Sequence, residues 1–291
     1  MNMNTEIKKI VNVYQHKYKN VYTYIGFGDY LRGCFFLINF CKNHNISYDF
    51  NIDDFIFGKY LKNIHNKLHI NEDIRKNICY FEEQNVPGNF IYLQSYYCKN
   101  DKFLNDFIEF CNNTPIYDNV CYILTNSLTT ELISPEEREI MQNLMEPIEL
   151  IKNDVNTLLM NLDLTHKEYT TIQIRVGDNG EHLDNYNNIL SKLNNTIDES
   201  QKYVIICDTN KLNKILIDYF KSNNNIKIID NKKTHSAKSD LNEDDSKDIL
   251  IDFYIMSLSA KIICFSIYGH GSSFSKTCSE IYNINYDFTL L

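Results

Sequence analysis

Short apolar runs at period 2 alternate along this chain with longer stretches whose apolar positions recur at helical spacing. Residues Thr170–Arg175 (Thr-Thr-Ile-Gln-Ile-Arg) alternate β-branched and polar side chains, and the pattern predicts a strand. From there the second half alternates regularly. Helix is predicted over Leu183–Leu193, strand over Tyr203–Cys207, helix over Lys211–Lys221 and strand over Ile226–Ile229. Asn231–Lys247 is polar and charged and reads as a loop. Helix Asp248–Ala260, strand Lys261–Ser266 and helix Ser272–Tyr282 follow.

The first half follows the same rhythm less cleanly. Strands are expected at Val21–Ile25, Ser47–Ile52, Ile78–Phe81, Asn89–Tyr97 and Val120–Thr125. Helices are expected at Cys34–Asn43, Phe55–Leu68 and Asp101–Cys111. Ser134-Pro135-Glu136-Glu137 carries a cap, a proline at the first helical position and acids in the first turn. The helix it starts should run to about Leu162, kinked at Pro147. Strands alternating with helices imply an α/β protein with parallel, doubly wound sheets. The expected architecture is two such domains facing one cleft, residues 1–162 and 163–291.

Bulk properties narrow the function classes. The 291 residues are 43% hydrophobic with a net charge of −9, enough chain for two compact domains and too acidic for a sequence-independent nucleic-acid binder. Nine cysteines, an odd number without a C-x-x-C pair, fit a reducing compartment. Met1–Lys9 has no apolar leader region, and no segment reaches the ~20 apolar residues of a membrane span. A soluble, cytoplasmic protein is expected. His65 and His69 sit four apart on an expected helix, but no third ligand accompanies them, so no metal site is expected.

Glycine is scarce, and its placement is informative. Of nine glycines, seven form three clusters: Gly26, Gly28 and Gly33; Gly177 and Gly180; Gly269 and Gly271. Gly26-Phe27-Gly28-Asp29 lies between an expected strand and helix, the layout that turns helix amides toward an anion. Its third glycine is misplaced for a dinucleotide fingerprint, and no acid closes a second strand at the usual distance. Arg175 ends its strand just before Gly177 and Asp178, where ligands of open α/β sheets bind. Ser266 ends another strand, and Gly271-Ser272-Ser273-Phe274-Ser275 opens the following helix. No G-K-[ST] occurs, which excludes a P-loop NTPase.

Taken in order, Gly26-x-Gly28-Asp29, Ile174-Arg175-Val176-Gly177-Asp178 and Gly271-Ser272-Ser273-Phe274-Ser275 resemble the motifs of the fucosyltransferase superfamily. Its patterns are an early G-x-G-N loop, a central H-x-R-x-G-D segment and a late serine/phenylalanine loop. Tyr92-Leu93-Gln94-Ser95-Tyr96-Tyr97 is similar to a stretch of the α-1,2 branch. Asp252 with Met256-Ser257 and Ala260 resembles the helix that precedes the serine loop. Three positions depart from the pattern: Gln173 replaces the histidine, Val176 a second arginine and Asp29 the asparagine.

The resemblance implies a GT-B fold and an inverting, metal-independent transfer of a deoxyhexose, fucose by analogy, from a GDP-sugar to a glycan or other hydroxyl acceptor. The GDP-sugar is a substrate, and no cofactor is implied. Arg175 and the amides around Ser272–Phe274 would neutralise the departing diphosphate. Gly26, Phe27, Gly28, Gly177, Asp178, Ser266, Gly271, Ser272, Ser273 and Phe274 would line the donor. Asp208 and Asp252 could meet guanine or ribose edges, and Asp252 could instead orient Arg175. Asp29, Asp178 and Glu181 are the candidate bases. Two alternatives remain open: a GT-B transferase for another nucleotide sugar, and a non-catalytic member that binds glycan or a partner.

Overall fold

The computed structural model describes residues 7–12, 14–18, 21–24, 26–50, 57–63, 90–93, 120–125, 132–177, 186–231 and 242–291. These residues separate into two compact units, the first ending at Glu146 and the second beginning at Pro147. The division precedes the helix at whose end, near Leu162, a boundary was expected.

The first unit is built on a four-stranded, all-parallel sheet. Its strands are β1 (Lys9–Asn12), β4 (Ser47–Phe50), β5 (Phe90–Leu93) and β6 (Val120–Thr125), in the order β4-β1-β6-β5. One of its two inner strands is β1, which the sequence pattern missed. Val21–Tyr24 is extended as expected, but it is β3 of an antiparallel hairpin with β2 (Gln15–Tyr18) and lies outside that sheet.

Helix α1 (Phe27–His44) starts well before the expected Cys34. Gly26 is its N-cap residue, and Gly28, Asp29 and Gly33 are helical rather than parts of a loop. Gly33 is what lets the helix sit down on the sheet. A Cβ built on it would lie 1.8 Å from the Thr125 carbonyl oxygen of β6. Beneath the helix, buried Asn12 accepts from the Thr125 N–H at 3.3 Å and donates to Cys34 Sγ at 3.4 Å. The described part of the expected helix Phe55–Leu68 is a short 3-10 turn, Gly58–Tyr60. The expected strand Ile78–Phe81, helix Asp101–Cys111, and His65 and His69 lie outside the described residues.

Ser134 starts α2 (Pro135–Leu144) with a full capping box: its hydroxyl accepts from Glu137 N, and the Glu137 carboxylate accepts from Ser134 N. The expected kink is a complete break. The chain leaves the helix at Met145 and re-enters as α3 (Glu149–Asn161). The residue before a proline is driven from helical backbone, and Pro147 sits in this gap.

The second unit carries a five-stranded, all-parallel sheet of β7 (Tyr169–Arg175), β8 (Lys202–Cys207), β9 (Ile226–Ile228), β10 (Lys261–Ser266) and β11 (Asn285–Leu290). The order is β11-β10-β7-β8-β9. One face of the sheet packs Ile172, Ile174, Ile205 and Phe265 against Ile189, Leu193, Leu212 and Leu216. Those last four belong to α4 (Tyr186–Thr196) and α5 (Asn210–Phe220). The strands are therefore apolar on this face at period 2.

Two helices complete the unit, α6 (Glu243–Ser257) and α7 (Ser273–Tyr282), and α6 packs against α3 and α7. The polar stretch expected as a loop up to Lys247 is already helix from Glu243. The Asn242 side chain caps it by accepting from Asp245 N at 2.8 Å. Edge strand β11 was not foreseen.

Candidate functional site

The second sheet reverses direction between β7 and β10. From β7 the chain winds outward through β8 and β9, returns to β10 beside β7, and continues to β11. Such a topological switch point splays the connections above the strand ends and leaves a crevice there. The register puts Arg175 opposite Ser266, both at carboxyl ends. Ile174 is opposite Cys207, so Asp208 follows β8 at the same level. The sequence-expected Arg175, Gly177, Asp208, Ser266, Gly271 and Ser272 are brought together here.

Arg175 is mostly buried and donates from Nη1 to Asp208 Oδ2 at 2.8 Å. The same carboxylate accepts from the backbone N–H of Val176 and, at 3.0 Å, of Gly177. Asp208 was expected on a guanine or ribose edge, with Asp252 as the group that could orient the arginine. In the structure it is Asp208 whose carboxylate meets the guanidinium. Burial raises the Asp208 carboxyl above the ordinary carboxylate value, while Arg175 and the two amides pull it back. Gly177 has φ +98°, a left-handed conformation that leaves room for the turn.

Across the switch point the loop after β10 is tightly pinned. Ile267 N donates to Arg175 O at 3.1 Å, fastening the loop to β7. Buried Ser266 accepts from Tyr268 N at 3.0 Å, and its hydroxyl lies 3.4 Å from Gly271 O. Gly271 N donates to Tyr268 O at 2.9 Å, and Gly271 has φ +77°. Its missing Cβ would lie 3.1 Å from the Tyr286 hydroxyl, so β11 sits directly under the turn. Ser272 is the N-cap residue of α7, without a side-chain cap bond, and Ser273 and Phe274 begin the helix. The first-turn amides of a helix lack intrahelical partners and favour an anion. Phe274 itself packs on Phe253, ring centroids 5.5 Å apart, on the helix side.

Beneath the loop lies a buried polar cluster that sequence reasoning did not find. Cys264 donates to Gln173 Oε1 at 3.7 Å. Burial raises the Cys264 thiol, and the Tyr286 and Ser275 hydroxyls, the Ser272 amide and the charge of Arg175 oppose that rise. The sequence carried one signal for it: Gln173 is a polar residue between Ile172 and Ile174 on a strand that becomes central in the sheet.

Other expected site residues lie elsewhere. Gly26, Phe27, Gly28 and Asp29 belong to the first unit, at the start of α1. Phe27 is buried against Phe57, centroids 4.8 Å apart, and is a core residue. Asp29 pairs with buried Arg32 at 3.0 Å. Asp252, on α6, accepts from Asn231 Nδ2 at 3.1 Å. Asp178 and Glu181 lie outside the described residues. Among the described residues no group of three or more His, Cys, Asp or Glu is arranged to hold a metal, and no helix is long and apolar enough to cross a membrane.

This strand order, with an arginine and a glycine-serine helix start at the switch point, defines an α/β protein with parallel sheets. No protein-family model and no curated protein matches the chain. Solved structures do. The α-1,6-fucosyltransferase NodZ from Bradyrhizobium, soaked with GDP-fucose, superposes with TM-score 0.53 at 10% identity, covering 94% of this chain and 92% of that one. A mutant of Arabidopsis thaliana FUT1 in complex with GDP superposes with TM-score 0.57 at 10% identity, covering 99% and 71%. The resemblance to fucosyltransferases therefore holds at the level of the fold, across nearly the whole chain.

Proposed function

We propose that this chain is a glycosyltransferase of GT-B architecture that moves a deoxyhexose, fucose in the first instance, from a GDP-sugar to a hydroxyl acceptor, with inversion and without a metal. The observation that carries the reading is the Arg175–Asp208 pair facing the Ser266–Ser272 loop across the switch point. The shared fold with fucosyltransferases supports the donor class. In this reading the second unit holds the donor and the first unit the acceptor.

As the bond between the anomeric carbon and the diphosphate oxygen breaks, negative charge grows on the leaving phosphate. Arg175 and the first-turn amides of α7 neutralise it at fixed positions, where reorganisation costs little. The acceptor oxygen attacks from the opposite side, and its proton passes to a carboxylate. Asp29, Asp178 and Glu181 are the candidates for that base, and Asp252 is the candidate for the nucleoside. Removing one such charge-stabilising group costs ~3–4 kcal/mol of transition-state stabilisation, about a hundredfold or more in rate.

The test is thermal stabilisation by GDP, UDP, CMP and ADP, each with and without magnesium, on wild type and Arg175→Ala. A ligand that binds only the native state raises its melting temperature. A GDP-specific, magnesium-independent rise that Arg175→Ala loses is expected. A UDP preference or a metal requirement would assign the chain to another transferase class, and no shift with any nucleotide would refute the donor site.

A further inference from the structure

We infer that Tyr268 is a positioning residue for Arg175, its ring and the Asp208 carboxylate together presetting the guanidinium for an anionic oxygen. The inference rests on the donor-site reading above. The Arg175 guanidinium carbon lies 5.7 Å from the centroid of the Tyr268 ring. That is within the range over which an aromatic ring attracts a cation. A guanidinium held against a ring directs its N–H groups within its own plane, the geometry that meets phosphate oxygens in pairs.

The ring is set before any ligand arrives. Tyr268 is held by its N–H on Ser266 and its carbonyl on Gly271, so the turn that carries it is closed at both ends. Its phenol reaches over the Gly177 turn, where an added Cβ would lie 3.2 Å from the Tyr268 hydroxyl oxygen. Glycine at position 177 therefore makes room for the ring as well as supplying the left-handed backbone. The side chain does not belong to the core: Tyr268 is half-buried, and Gly269 and His270 beside it are exposed. A half-exposed aromatic fixed over a mostly buried arginine at the switch point is placed to orient that arginine.

Calorimetric titration of GDP into wild type, Tyr268→Phe, Tyr268→Leu and Arg175→Ala tests the inference, with melting temperatures taken without ligand. Tyr268→Leu should weaken GDP binding roughly five- to tenfold, the scale of a partly desolvated cation–ring contact, with its ligand-free melting temperature near that of wild type. Tyr268→Phe, which keeps the ring, should bind as wild type does. Tyr268→Leu binding as tightly as wild type would overturn the inference. So would Tyr268→Phe losing as much as Tyr268→Leu, since the hydroxyl over Gly177 would then carry the effect. Tyr268→Gln is a second ring-free variant, read in the same way if Tyr268→Leu does not fold. Failure of wild type to bind GDP, or undiminished binding by Arg175→Ala, would instead overturn the donor-site reading itself.

Discussion

Arg175 and Asp208 are 33 positions apart in sequence and joined by a 2.8 Å bond, and the carboxylate that orients the arginine also ties down the two backbone amides that follow it. One side chain thus fixes both the charge and the turn of the candidate anion site. Asp208→Ala should leave those amides and the guanidinium without this acceptor. Orphaning buried donors costs ~1–3 kcal/mol, so a clear drop in melting temperature is expected together with about tenfold weaker GDP binding. A variant with wild-type melting and binding would show that the pair organises nothing.

The direction of the Asp208 shift sets a pH dependence. Its folded carboxyl is raised by burial, so the native state holds this proton more tightly than the unfolded chain does. Where the native state binds more protons, stability falls as pH rises. The contribution is greatest below the unfolded value and is lost as pH climbs through the raised folded value. Asp208→Asn does not titrate there. The melting temperature of wild type minus that of Asp208→Asn should therefore decline with rising pH across that window. A difference that grows with pH would mean that Arg175 and the amides outweigh burial.

The sheet of the second unit was legible because its three central strands are short apolar runs ending in chemistry: Arg175 on β7, Asp208 after β8 and Ser266 on β10. What joined Arg175 to Asp208 was not legible, because the pairing is made by strand register and no local pattern encodes it. Strand β1 was missed because Lys-Ile-Val-Asn is too short to show a period, although Ile10 and Val11 are fully buried. Gly26, Gly28 and Gly33 were read as a loop since glycine disfavours helix. Asn242 followed by Glu243, Asp244 and Asp245 was a cap and an acidic first turn hidden in a stretch judged only by its polarity.

Gly33 separates conformational freedom from room as the reason for a glycine. It is helical, and its added Cβ would lie 1.8 Å from one backbone atom of Thr125 and 2.7 Å from another. Backbone cannot swing aside as a side chain can, so α1 must shift on the sheet. Gly33→Ala should cost ~3 kcal/mol, at the upper end of overpacking penalties. Gly269 meets nothing within 4 Å, and Gly269→Ala should be close to neutral. Urea titration of both variants checks this, and equal stability of the two would refute the close approach.

One of the buried thiols, Cys264, reports on the loop after β10 from below. Cys34, Cys41, Cys121, Cys207, Cys264 and Cys278 are all buried and outside any disulfide, and burial raises the thiols of Cys41, Cys264 and Cys278. Burial shuts a reagent out of all six, and in Cys41, Cys264 and Cys278 it also disfavours the attacking thiolate, so these six should resist labelling in the native protein at pH 8 and react once it is unfolded. Peptide mass spectrometry after timed exposure to a thiol reagent resolves each site. Cys264 is the informative one, because it is fully buried beneath Ser272 and Ser275 at the start of α7. Its labelling should be slow, and, if the proposed donor site binds GDP there, slower still with GDP present; rapid labelling would mean that the loop is not the rigid turn its hydrogen bonds describe.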